Sequence, residues 1–301
     1  MRTSSTSRGA AGSVDALGLA LDASFVNRAA PPGSMRYFSL LYAPPERRDA
    51  LLALYVIESE IRWSAQGASH DVAHTRLQWW RAEIERLVNG APQHPATRLL
   101  HERGAARERY DRLHELLAAA DMDLAHMTYE NEGELRAYCA RSGGTTHELI
   151  AAELLAPQPL EEPVRAVAHR LGVGIRISEI LRDLRQDAHE GRVYLPLDQL
   201  DRQGLDHRDL RVREMPPALR PLLQSVRELA CHELSPPTAH SGGPDLRPAS
   251  ARLRPLLVLA ALHRRLLDRI AARDYDVLSE RVELGPVEKP WIAWRAARKS
   301  G

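Results

Sequence analysis

Apolar positions recur along this chain at helical spacing, and no segment alternates in the manner of a strand. From Glu46 onward, Leu51, Leu52, Leu54, Tyr55, Ile57 and Ile61 follow a 3.6-residue repeat, which predicts a long amphipathic helix. A second is predicted from Asp71 to Val88, with Leu77, Trp80, Ile84 and Leu87 on one face and Asn89-Gly90-Ala91-Pro92 to end it. Arg36 to Tyr42 reads as a short helix closed by Ala43-Pro44-Pro45. Further helices are expected over 96–118, 131–141, 145–155, 162–188, 217–233 and 250–273. Pro31-Pro32-Gly33 is a breaker, and the Pro/Ser/Gly run from Ser235 to Pro248 is a loop expected to be disordered. The pattern predicts one all-α domain of about eight to ten helices around a central space, over 34–301, behind a flexible segment over 1–33.

A chain of 301 residues can bury a large core. Its 41 basic and 40 acidic residues leave a formal charge of +1, against the basic excess that a nucleic-acid binder shows. Two cysteines, Cys139 and Cys231, are too few for a disulfide framework and suit a reducing, cytoplasmic interior. Cys139 reads as a small buried hydrophobe. No apolar run approaches the roughly 18 residues of a membrane span. Residues 1–12, basic and without acid, read as a disordered tail or a transit segment. Trp79-Trp80 suggests one ring in the core and one over the surface. The tail from Lys289 through Trp291, Trp294 and Arg298 either packs its tryptophans on the domain or docks, peripherally, on the inner membrane.

The chemistry concentrates between Ser178 and Pro196. Glu179, Asp183 and Asp187 recur every four residues, which on a helix stacks them along one face with Cβ atoms about 6 Å apart. Such a column repels itself. Divalent cations would turn it into a binding site, since Mg²⁺ takes carboxylate oxygens and leaves positions for phosphates. The other reading is a solvated acidic stripe offset by Arg182, Arg185 and Arg192. Gly191 can stop the helix, and Pro196 ends the extended Arg192-Val193-Tyr194-Leu195. His147 and His189 lie nearby and read as hydrogen-bonded packing residues rather than bases.

The run Ile180-Leu181-Arg182-Asp183, Asp187 and Gly191-Arg192-Val193-Tyr194-Leu195-Pro196 resembles the second aspartate-rich motif of the squalene/phytoene synthase family. Those are all-helical enzymes of the isoprenoid-synthase type that join two prenyl diphosphates head to head. The resemblance extends from about Ser34 to Arg298 through Pro44 to Arg48 with Ala53-Leu54-Tyr55, Met122-Asp123-Leu124, Tyr129, Tyr138-Cys139 with Gly144-Thr145, Leu171-Gly172, and Arg273 to Val277 and Arg281-Val282-Glu283-Leu284 with Lys289. It implies a helical bundle around a central cavity, with Mg²⁺ held by Glu179, Asp183 and Asp187. It implies chemistry at Asp183, Asp187 and Tyr194, and a prenyl diphosphate bound by Arg182, Arg192, Tyr55 and Gly144. No reductant is assigned.

Two departures stand out. The family usually has Asn at Glu179. Its first aspartate cluster, in register with Ala53-Leu54-Tyr55, falls here on Arg62, Trp63 and Gln66, where Arg62 puts a positive charge in place of a metal. Glu58 and Glu60, two apart, point about 200° away from each other and cannot rebuild the cluster. Glu58 is placed to pair with Arg62 at i,i+4. Glu179 is either a gained ligand or a partner for Arg176 or Arg182. The block Arg76-Leu77-Gln78-Trp79-Trp80-Arg81, with Arg36-Tyr37, is similar to a branch of the family that includes a mitochondrial complex I assembly factor. Three functions follow as expectations: an Mg²⁺-dependent head-to-head prenyltransferase, a non-catalytic protein that binds a prenyl-like lipid or a protein partner, and a single-cluster enzyme that ionises one diphosphate.

Overall fold

The structure is a computed structural model that describes residues 21–66, 69–104, 107–235 and 247–299. The described residues are mostly helical and contain no strand. In chain order the helices are α1 (Ala23–Ala29), α2 (Met35–Leu40), α3 (Pro45–Ser64), α4 (His70–Asn89) and α5 (Pro95–Glu102). Then come α6 (His114–Leu124), α7 (Glu132–Cys139), α8 (Thr145–Leu155), α9 (Glu162–His189) and α10 (Leu197–Arg202). The last three long ones are α11 (Leu219–Glu233), α12 (Arg254–Ala272) and α13 (Glu288–Lys299).

Local chemistry sets the ends. Ser34 caps α2, its hydroxyl accepting from Tyr37 N at 3.1 Å. Asn131 caps α7 by accepting from Glu134 N at 3.1 Å, and Glu134 returns the favour to Glu130 N at 2.8 Å. Proline opens α3, α5, α9 and α12, where its missing N–H costs nothing. Gly90 ends α4 at φ 84°, a left-handed position that glycine takes without strain.

The helix α9 is the axis of the molecule. Every residue from Leu171 to Leu181 is buried, so this stretch has no solvent face, as expected of a helix enclosed by others. Glycines admit the neighbours. A Cβ on Gly172 would collide with the carbonyl of Gly143, in the π-helical turn Ala140–Gly144, and a Cβ on Gly174 would press Leu234 after α11. The helices α8, α11 and α12 complete the wall, with α3 packed on α8, and α13 lies on α12.

Most expected helices are present within two to four residues. The one predicted over 96–118 is instead three pieces: α5, a 3₁₀ segment Arg107–Leu113 and α6. Gly104, at φ 66°, turns the chain out of α5. The packed body also begins ahead of Ser34, because α1 buries Val26 and Ala29 against α3. The expected tail over 1–12 and most of the expected loop after Ser235 lie outside the described residues.

Candidate functional site

The acidic column of α9 faces inward. Glu179 and Asp187 are 7% and 9% exposed, and the Asp183 side chain 21%. None of the three is a free carboxylate. Glu179 receives Arg62 from α3 at 3.2 Å, Arg176 from its own helix at 3.5 Å and Arg36 from α2 at 3.7 Å. Burial alone would raise its pKa, but the three guanidiniums outweigh that and hold it well below the usual carboxylate range. Asp183 accepts a two-pronged pair from Arg182 at 2.9 and 2.5 Å and a third bond from Arg281 at 2.8 Å. It too is held low, against burial. Asp187 has one guanidinium, Arg192, at 3.5 Å. There burial wins and pushes the carboxyl up to about 6.

Across from the column stands the end of α3. Glu58 is 4% exposed and pairs with Arg62 one turn on, as its spacing predicted, and with Arg36 at 2.9 Å. Glu60 points elsewhere, to Arg28 at 2.8 Å and His94 at 3.4 Å. Trp63 is 58% exposed with Arg76 over its ring, and Gln66 lines an open cavity of about 610 Å³ with His70, His126, Glu190 and Arg192. A second cavity of about 340 Å³ is lined by Met35, Arg182, Leu266, Arg281, Leu284 and Lys289. A third pocket, between α3 and α6, is small. Ile61, Arg62, Leu116, Ala119, Asp123 and Tyr138 leave about 10 Å³, room for a single water at most.

Tyr194 enters this layer from below α9. Its hydroxyl donates to Asp123 at 2.7 Å, Tyr138 donates to the other oxygen at 3.1 Å, and Arg176 donates to the Tyr138 hydroxyl at 2.9 Å. Burial and the nearby Tyr138 and Asp123 raise the Tyr194 pKa well above its ordinary value, so it stays a neutral donor. Arg192 pairs with Glu190 as well as Asp187. Tyr55 is buried on α3 with Arg36 over its ring at 4.8 Å. Gly144 lies against the His169 ring, which pairs with Glu148 at 2.5 Å. The structure therefore gathers Glu179, Asp183, Asp187, Arg182, Arg192 and Tyr194 along one helix end, with Tyr55 on the facing helix. Sequence reasoning offered Arg176 as a partner for Glu179, which the structure shows, but assigned no role to Arg36, Asp123 or Arg281. Arg36 and Arg281 reach the acids from far along the chain, and no local spacing marks such pairs. The histidine reading agrees with His147, which is buried and hydrogen-bonded to Gly143 O at 2.8 Å.

The donor set does not fit a pair of facing Mg²⁺ clusters. Among the described residues no three His, Cys, Asp or Glu side chains are placed to hold a metal ion. The first position offers Arg62, Trp63 and Gln66, of which only the last has a neutral oxygen to give. The acids at the second position are already engaged by arginines.

The squalene/phytoene synthase family model matches residues 30–288. The chain is 30% identical over 261 residues to phytoene synthase 1, chloroplastic, of Arabidopsis thaliana, an alignment covering 84% of this chain and 60% of the relative's length. In fold it resembles a dehydrosqualene synthase solved in complex with ligand, at a TM-score of 0.76, 18% identity, and 92% and 94% coverage of the two chains. It also resembles a squalene synthase from Alicyclobacillus acidocaldarius, at a TM-score of 0.67, 19% identity, and 88% and 95% coverage. The motif at the end of α9, the all-helical architecture and a match over most of the sequence agree: this chain belongs to the squalene/phytoene synthase family.

Proposed function

We propose that this chain acts in isoprenoid metabolism as a squalene/phytoene synthase-like prenyltransferase. Its substrate class on this reading is a prenyl diphosphate, the anionic head at the end of α9 and the tail against the apolar core. Family membership supports the substrate class. The structural observation that carries the reading is the inward column of Glu179, Asp183 and Asp187, set among Arg182, Arg281, Arg192 and Tyr194. Guanidinium groups suit phosphate oxygens through charge-assisted hydrogen bonds. The Ile61, Leu116 and Ala119 side chains beside that layer would keep water from an allylic cation. Incubation with radiolabelled farnesyl and geranylgeranyl diphosphates, with and without Mg²⁺, tests it. Released pyrophosphate with a head-to-head hydrocarbon is expected. Neither, at any chain length, overturns transfer.

A second reading is favoured by Arg62, which occupies the first cluster's place. On it the protein binds a prenyl-like lipid or a protein partner without turnover, as in respiratory complex I assembly. Gene deletion separates the two: loss of an isoprenoid with intact respiratory complexes supports transfer, and the converse supports assembly. Peripheral membrane contact is compatible with both. Trp291 and Trp294 are 56% and 41% exposed and stacked on each other at 5.0 Å, rather than packed on the body. No helix among the described residues is long and apolar enough to cross a membrane.

A further inference from the structure

The polar layer between α2, α3 and α9 has the opposite electrical sign from a metal site. Three guanidiniums, Arg36, Arg62 and Arg176, share two carboxylates, Glu58 and Glu179. One turn along α9, Arg182 and Arg281 share Asp183. The first group carries one positive charge beyond its two acids, whereas in the second Arg281 also pairs with Glu283 at 2.7 Å and the charges balance. A divalent cation entering here meets fixed positive charge in a poorly screened interior, whereas an anion meets donors with capacity to spare. Arg176 shows that spare capacity. Its side chain is 6% exposed, and its buried Nε has no hydrogen-bond acceptor among the described residues. Arg62, at 24% exposed, is the most accessible of the first three.

We propose that arginines stand in for divalent cations in this chain: Arg62, supported by Arg36 and Arg176, takes phosphate oxygens of a diphosphate directly, and the anionic ligand binds without metal. The inference rests on the prenyl diphosphate reading above and deepens it. A guanidinium presents a planar fork that matches two phosphate oxygens. In the free protein Glu58 and Glu179 hold the three forks apart and offset their mutual repulsion, since an uncompensated buried charge is costly. A phosphate oxygen arriving at Arg62 replaces a carboxylate oxygen as acceptor, and no covalent bond changes. If instead the network only pins three helices together, diphosphate has no reason to engage it.

Calorimetric titration of the full chain tests this, using farnesyl diphosphate, inorganic pyrophosphate and farnesol as probes, first in EDTA and then in Mg²⁺. Farnesyl diphosphate is expected to bind in EDTA, with Kd moving less than about threefold on adding Mg²⁺. Farnesol, which lacks the head, should bind at least about tenfold more weakly, the worth of a hydrogen bond to a charged group. Pyrophosphate should also bind in EDTA, which assigns the recognition to the head. Arg62→Gln should weaken farnesyl diphosphate by about tenfold or more in EDTA, and Arg62→Lys, which keeps the charge and loses the fork, by less. Binding only in Mg²⁺ overturns the metal-free inference and leaves the substrate reading standing. No binding in either condition overturns both. Unchanged affinity in a folded Arg62→Gln variant removes Arg62 from the site, and if that variant does not fold, wild-type affinity in Arg62→Lys does the same.

Discussion

The end of α3 and the end of α9 meet through Arg62 and Glu179, yet they carry different chemistry. The α9 end keeps carboxylates at four-residue spacing, while the α3 end offers Arg62, Trp63 and Gln66. A column of like charges would destabilise an isolated helix. Here each acid is neutralised from another direction: Glu179 by α2 and α3, Asp183 by Arg182 and the closing segment, Asp187 by Arg192. What one helix end lacks thus decides what the other end's acids do. With Arg62, Trp63 and Gln66 where the facing acids would stand, carboxylates whose spacing suits a divalent ion serve as ion-pair partners.

Removing the acid should cost more than removing its partner. Glu179→Ala leaves Arg62, Arg36 and Arg176 with Glu58 alone, and urea denaturation should show a loss of about 3–5 kcal/mol, the cost of an uncompensated buried charge. Arg62→Ala, at a side chain that is 24% exposed, should cost about 1–2 kcal/mol. Equal losses would break the asymmetry. The close approach of α9 to the π-helical turn comes next. Gly172→Ala drives a Cβ into Gly143's carbonyl and should cost about 1–3 kcal/mol by the same assay.

Asp187 sharpens the comparison through pH. Its carboxyl titrates near 6 when folded, above the ordinary 3.8. Between those values the folded chain holds a proton that the unfolded chain releases, so stability from this group falls as pH rises from about 4 to 6. Above 6 the whole cost of the buried charge is present. Asp187→Asn should therefore stabilise by about 1–2 kcal/mol at pH 8, with the gain fading toward pH 4. Glu179, held low, acts oppositely: its contribution is present above about 4.5 and is lost as acid protonates it. Smallest of all, Trp291→Ala should change stability by less than about 0.5 kcal/mol, because its ring packs on Trp294 at the surface. If α13 docks on membranes, the same substitution should lower binding to anionic vesicles.

Local patterns were legible in the sequence. The helix expected over 145–155 is α8 at the same residues, and α9 ends one residue beyond its predicted limit. The Glu58–Arg62 pair, the buried Trp80 beside an exposed Trp79, and the buried Cys139 all follow from spacing or residue type. Contacts between distant segments were not legible. Arg62 lies 117 residues from Glu179, and Arg281 lies 98 from Asp183. Such pairs are set by the angle at which helices pack, which no window of sequence encodes. The break after α5 was missed because Gly104 is a lone glycine inside an otherwise helical pattern.

The account turns on Arg62 neutralising Glu179 across two helices, and a double-mutant cycle measures that directly. Urea denaturation of Arg62→Ala, Glu179→Ala and the double variant should return a coupling of about 1 kcal/mol or more. Losses that add to within about 0.5 kcal/mol would mean that the two side chains do not support each other, and the account would fail.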